Sequence, residues 1–170
     1  MKLMMNQKLL SSIAMVLFSA ALISGCASKK KASDQAVTPP THDDVAMSFD
    51  PVGSDSMKIE GLHTIHFLFD KSVLDKKEKD LLQANAEWMK KYPLVKIQIE
   101  GHCDARGSIE YNLALGERRA KMAMEYLNNL GIAADRLSII SYGKEKPISN
   151  GDSEDEYAKN RRDNFVPLKN

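Results

Sequence analysis

Between Gly61 and Gly143, strand-like runs are separated by two long runs of helical period, and this alternation restricts the fold more than any other feature. GLHTIHFLF, from Gly61 to Phe69, reads as a strand, and VKIQIE, from Val95 to Glu100, alternates strictly with Val95, Ile97 and Ile99 apolar. RLSIISYG, from Arg136 to Gly143, reads as a third strand. The first helical run spans Asp75 to Tyr92, with Leu74, Leu81, Leu82, Asn85, Trp88 and Met89 at spacings of three and four and Pro93 just beyond its end. The second spans about Ser108 to Leu130, with Ser108 as N-cap and Gly131 as the stop. A short helix within NGDSEDEYAKN and a last strand near Arg161 to Leu168 complete the domain. Helices between strands at this spacing require βαβ crossovers and parallel pairing. The expected fold is an α/β (α+β) two-layer sandwich, two main helices packed on a small mixed, partly parallel sheet.

The segment before this domain has a different composition. Lys2 and Lys8 precede an uncharged apolar run from Ser11 to Ile23, followed by Ser24 and Gly25. That is the layout of an export signal, too short and wrongly flanked for a spanning helix. The run ends in LISGC, Leu22 to Cys26, which resembles the bacterial lipobox, whose cysteine receives lipid and becomes the mature N-terminus. Acyl chains there contribute about 0.8 kcal/mol per buried methylene, and several together anchor stably. Ala27, in place of an aspartate that resembles an inner-membrane retention signal, favours the outer membrane. From Ala27 to about Met57 the chain is rich in Lys, Asp, Ser and Pro and lacks apolar periodicity, so it reads as a tether. The expected organisation is a signal over residues 1–25, a lipidated N-terminus and tether over 26–57, and one domain over 58–170.

The chain has two cysteines, Cys26 and Cys103, so acylation of the first leaves Cys103 without a partner, and it reads as a small core residue. Without residues 1–25, which hold two lysines and no acid, 22 basic residues face 23 acidic ones. This balance gives no general attraction to nucleic acid or anionic lipid, so charge recognition has to be local.

The densest local chemistry is IEGHCDARGSIEYNLALGERRA, from Ile99 to Ala120. Asp104 falls in a loop between strand and helix, where α/β sheets place ligand crevices. On the helix, Leu113, Ala120, Met124 and Leu127 form the expected core face, and Asn112, Gly116, Arg119 and Ala123 form a second stripe about a quarter turn away. Glycine inside a helix costs about 1 kcal/mol against alanine and marks a close approach. A metal site would need His102 and Asp104 with His63 or His66, but no close two-histidine spacing exists. A His102–Cys103 nucleophilic pair is disfavoured because strand neighbours point apart. No G-x-S-x-G elbow or phosphate-binding glycine loop is present, so an enzyme is the weaker class and no cofactor is expected. GERRAK is too short a basic patch for nucleic acid. A solvated helix face accounts for Arg118 but not for Asp104, Gly116 and Arg119 together. Recognition of a zwitterion accounts for them better: an acidic loop residue holds an ammonium, and Arg119 forks onto a carboxylate.

FLFDKSVL (67–74), EGHCDARGSIEYNLALGERRA (100–120), YLNNLGI (126–132), ADRLSIISYGKEKP (134–147) and AKNRR (158–162) resemble the OmpA-like peptidoglycan-binding domain family, in particular its lipid-anchored members. The resemblance implies a βαβαββ order and a noncovalent grip on peptidoglycan through the meso-diaminopimelate of its stem peptide. It implies that Asp104 meets the diaminopimelate ammonium and Arg119 its carboxylate. Phe69 and Asp70 line the site, and His102, Asn112 and Leu115 support it. It further implies N-acyl and S-diacylglycerol lipid on Cys26, an outer-membrane location facing the periplasm, and the propeller protein TolB and other Tol proteins as partners in envelope integrity and division. A docking module for proteins, with a vestigial wall site, is the alternative. Two positions depart from the family pattern: Cys103, where threonine or alanine is usual, and Pro167, which implies that the last strand ends early or lies at an edge.

Overall fold

The structure, a computed structural model, describes residues 52–168. The expected signal, Cys26 and all but the last residues of the expected tether lie outside the described residues. Seven elements follow in order: β1 (Ile65–His66), α1 (Lys76–Lys91), β2 (Lys96–His102), α2 (Ile109–Asn129), β3 (Leu137–Gly143), α3 (Glu154–Asn160) and β4 (Arg162–Leu168). This is the βαβαββ order with the short α3 inserted, and it bears out the α/β sandwich.

Each helix begins where a side chain can satisfy an orphan amide. Asp75 accepts from the Glu78 amide, Ser108 from the Tyr111 amide and Ser153 from the Glu156 amide. Lys90 and Lys91 occupy the last turn of α1, where the helix dipole favours cations.

The sheet order is β1-β4-β2-β3, with β2 and β3 parallel and β4 antiparallel to both neighbours. Ile97 and Ile99 of β2 and Phe165 of β4 project toward the helices and pack with Leu82 and Met89 of α1 and Ala120, Ala123 and Leu127 of α2. Burying such side chains contributes about 1.5–3 kcal/mol each.

Four expectations change. The strand expected over Gly61–Phe69 pairs only at Ile65 and His66, opposite Asp163 and Arg162. Before it, the buried Asn85 of α1 does the work of a strand neighbour, accepting from the His63 amide at 2.7 Å and donating to the His63 carbonyl at 2.8 Å. Pro167 does not place β4 at the edge, since β4 lies between β1 and β2. β1 stops at Asp163, however, so the far side of β4 has no ladder from β1 at Pro167, and a missing amide is tolerated there. The domain begins before the expected boundary at 57/58. Ser54–Ser56 form a 3₁₀ turn whose Ser54 hydroxyl accepts from the Phe165 amide at 3.0 Å. Finally, Leu113, expected in the core, is 37% exposed. Helical period sets the direction of a side chain but not whether a neighbour covers it.

Candidate functional site

The site grows from one close contact between α2 and the sheet. A Cβ built on Gly101 would lie 2.1 Å from the Gly116 carbonyl oxygen, and one on Gly116 would lie 2.4 Å from the Ser141 hydroxyl and 2.9 Å from the Gly101 carbonyl. Both glycines are therefore required for α2 to rest directly on β2 and β3. Their contact presses the stripe of Asn112 and Arg119 against the C-terminal end of β2 and the loop that follows it.

Asn112 is buried and holds that loop, donating from its side-chain amide to the carbonyls of Arg106 at 2.7 Å and Ser108 at 3.0 Å. The Cys103 thiol donates to the Asn112 carbonyl, and the Cys103 amide bonds the Gly143 carbonyl at 2.8 Å. Burial pushes the Cys103 thiol up to about 11 against the pull of Arg119, so it remains a thiol and a packing group.

A cleft of about 170 Å³ opens beside this loop. That is smaller than the roughly 300–1,000 Å³ of whole small-molecule sites, and it suits one charged end of a larger molecule. Of the expected residues, Phe69, Asp70, Asp104, Asn112, Leu115 and Arg119 all line it. His102 does not. Its ring is buried on the other face of β2, 3.7 Å from the Glu100 carboxylate, because residues 100 and 102 alternate away from Gly101. Burial lowers its proton affinity despite Glu100, and it serves the site through its carbonyl alone.

Asp104 is the acidic centre. Its Oδ1 accepts from the Arg106 amide at 3.1 Å and Nε at 3.2 Å, and its Oδ2 accepts from Arg106 Nη2 at 2.6 Å and Arg161 Nη1 at 3.2 Å. Burial by itself would raise the carboxyl, but the bonds from Arg106 and Arg161 outweigh it and hold Asp104 below the ordinary carboxylate range. It is a permanently ionised acceptor at neutral pH.

Arg119 is placed differently from the expected carboxylate fork. It is 0% exposed and directs Nε to the Lys71 carbonyl at 2.8 Å, Nη1 to the His102 carbonyl at 3.0 Å and Nη2 to the Leu68 carbonyl at 3.1 Å. Nη1 also reaches the Cys103 sulfur, so four of the five N–H groups are committed. Its plane lies over the Phe67 ring. The guanidinium therefore ties the 67–71 loop to the end of β2. Asp70 in that loop sits at φ 55°, a left-handed conformation that Asp tolerates better than most residues, and accepts from the Tyr111 hydroxyl.

Arg106, Tyr111 and Arg161 also line the cleft and had no assigned role. Arg106 was discoverable, since a cation two residues after an acidic loop residue can turn back onto it. Arg161 lies 57 residues from Asp104, and only the placement of β4 beside β2 brings it there.

The OmpA family matches residues 66–161. The chain is 36% identical over 155 residues to the peptidoglycan-associated lipoprotein of Brucella melitensis, with 89% of each chain covered. It is 34% identical over 155 residues to that of Pasteurella multocida, covering 91% of this chain and 96% of the relative. Among solved structures, the peptidoglycan-associated lipoprotein of Burkholderia pseudomallei superposes with a TM-score of 0.60 at 38% identity, covering 62% of this chain and 89% of that one. The C-terminal domain of Helicobacter pylori MotB shares the fold, with a TM-score of 0.60 at 24% identity over 65% of this chain and 87% of that one.

Proposed function

The chain belongs to the OmpA family, and on that premise we propose that it is a lipoprotein of the outer membrane that binds peptidoglycan noncovalently. It is not an enzyme; its relatives carry the name of wall-associated lipoproteins, and it acts by holding. Asp104 receives the ammonium of the diaminopimelate in the stem peptide, Phe69 and Asp70 form the near wall, and Leu115 forms the floor. Arg119 contributes positive charge from beneath the floor while it holds the loop. Lipid on Cys26 anchors the other end of the chain in the outer membrane, with the domain in the periplasm. Tethering makes rebinding intramolecular, so each wall contact can be weak and still keep membrane and wall together.

The observation that carries this reading is an ionised carboxylate lining a cleft sized for one end of a side chain and bordered by arginines. Within the same proposal, the Tol proteins, TolB among them, are partners in envelope integrity and constriction. The exposed Leu68 and Val73 beside the cleft favour a surface that also meets protein.

Co-sedimentation with purified sacculi tests the reading. Residues 51–170 are expected to pellet, to be released by free meso-diaminopimelate, and to stay in solution as the folded Asp104→Ala variant. A folded Asp104→Ala domain that pellets like wild type would leave protein docking as the leading function.

A further inference from the structure

We propose that Gly53–Ser56 is a strap that opens under tension: a pull arriving from the N-terminal side detaches it from β4 while the rest of the domain stays folded. The proposal rests on the reading above for its load, a chain anchored at Cys26 and a domain held by the wall.

The strap is bonded to the face of the sheet that the helices leave open. Phe165 faces the helices, so Arg162 and Asn164 project from the opposite face of β4. The Ser54 hydroxyl accepts from the Phe165 amide at 3.0 Å, donates to the Asn164 side-chain carbonyl at 3.2 Å and lies 2.7 Å from the Thr64 hydroxyl. The Asp55 amide donates to the same Asn164 oxygen at 3.0 Å, and its carboxylate accepts from Arg162 Nε at 3.3 Å and Nη2 at 3.2 Å. A Cβ on Gly53 would lie 2.2 Å from the Asn164 side-chain amide, so the strap sits flush on that residue.

This attachment is polar throughout. Gly53, Ser54, Asp55 and Ser56 bring no apolar side chain, so water can replace what the strap loses on leaving. The layer it covers is incompletely paired. Buried Arg162 Nη1 and both ring nitrogens of buried His102, whose charge Asp55 and Arg162 influence, find no hydrogen-bond partner among the described residues. Water admitted by opening would reach such groups and offset part of the lost bonding.

The opening also has a built-in stop. Met57, directly after the strap, is 91% exposed and sits at φ 55°, a left-handed conformation disfavoured for such a side chain and relieved when the strap lets go. Ile59 and Leu62 belong to the buried core, and peeling past them would expose apolar surface to water. Tension therefore frees residues 53–58 and halts at Ile59. At about 3.3–3.6 Å per residue, that is about 20 Å of extra chain. A sudden displacement between membrane and wall is taken up there before it loads the cleft.

Single-molecule pulling of the full chain tests this, with one handle on unacylated Cys26 and the other on an Ala105→Cys substitution at the exposed rim of the cleft. Wild type is expected to lengthen in one small reversible step, up to about 20 Å, ahead of a separate cooperative unfolding. Ser54→Ala with Asp55→Ala is expected to lose the early step and to unfold at the wild-type force. Absence of the early step in wild type, or an unfolding force that falls with the paired substitutions, overturns the strap and makes these residues part of the folded core. Should the paired variant not fold, hydrogen exchange of the wild-type chain decides. The Phe165 amide should then exchange at least about tenfold faster than the amides of Ile97 and Ile99, and equal protection overturns the proposal. Neither measurement contains sacculi or lipid, so failure of the strap leaves the wall reading intact, and failure of the sedimentation test leaves the strap to stand or fall on its own.

Discussion

The mouth of the cleft and the packed layer beneath it each hold an arginine with an acid in its neighbourhood, and they behave as opposites. At the mouth, Arg106 makes three bonds to Asp104, all within one loop, and remains partly open to solvent. At the floor, Arg119 is sealed and bonds three carbonyls from two separate segments, while the nearby Asp163 is fully buried with no hydrogen-bond partner on either carboxylate oxygen. The mouth has charge within reach of solvent; the layer beneath uses charge to close loops. Residue type does not distinguish these roles, and solvent access does. A guanidinium at the rim can trade one partner for another, whereas a buried one that lost its carbonyls would leave them unsatisfied.

The widest separation of the two regions should appear in stability. Arg119→Met removes the donors of three carbonyls, each of which costs about 1–3 kcal/mol when buried and unpaired. Urea unfolding is expected to show a loss of about 3 kcal/mol or more for that variant. Arg106→Ala should cost less than Arg119→Met, because Arg106 is partly exposed and Arg161 stays on Asp104 when it is removed. Equal losses at the two positions would erase the distinction between mouth and floor.

A smaller effect is expected from Gly101→Ala. Its Cβ meets backbone rather than a flexible side chain, so α2 must shift off β2, at a cost of about 1–3 kcal/mol. Since α2 also positions Asn112 and Arg119, sacculus binding should weaken even where the variant remains folded. Full binding in the destabilised variant would show that the mouth does not depend on this contact.

The smallest and most specific effect concerns pH. Burial raises the Asp163 carboxyl well above its ordinary value of 3.8, with Arg119 and Arg162 opposing, whereas Asp104 is held below the same value. A group raised in the fold contributes stability that is complete below its ordinary value and is lost as pH rises through the raised one. A depressed group contributes stability that is present above its ordinary value and is lost as pH falls through the depressed one. Melting temperatures of Asp163→Asn should therefore decline less than those of wild type as pH rises from about 4 toward neutrality. Parallel curves would place the Asp163 charge in water rather than in the floor.

Much of this was legible in the linear chain because it is local. The spacing of Asn112, Gly116 and Arg119 along one helix put them on one stripe, and the strand-to-loop position of Asp104 put it at the end of the sheet. The caps at Asp75, Ser108 and Ser153 lie within a few residues of the amides they bond, which is why the helices fell where the pattern placed them. Leu113 shows where local reasoning stops, since the same periodicity that buries Ala120 leaves Leu113 exposed.

By itself the sequence determined which residues share a helix face, where each helix can start, and that a glycine must sit where α2 meets the sheet. These depend on backbone geometry within a few turns. Only the tertiary structure decided that β4 lies inside the sheet, that Arg161 reaches Asp104 across 57 residues, and that Arg119 looks inward while Arg106 looks out. The physical reason is that a guanidinium takes whichever acceptors surround it, and those acceptors come from distant segments whose convergence no local period encodes.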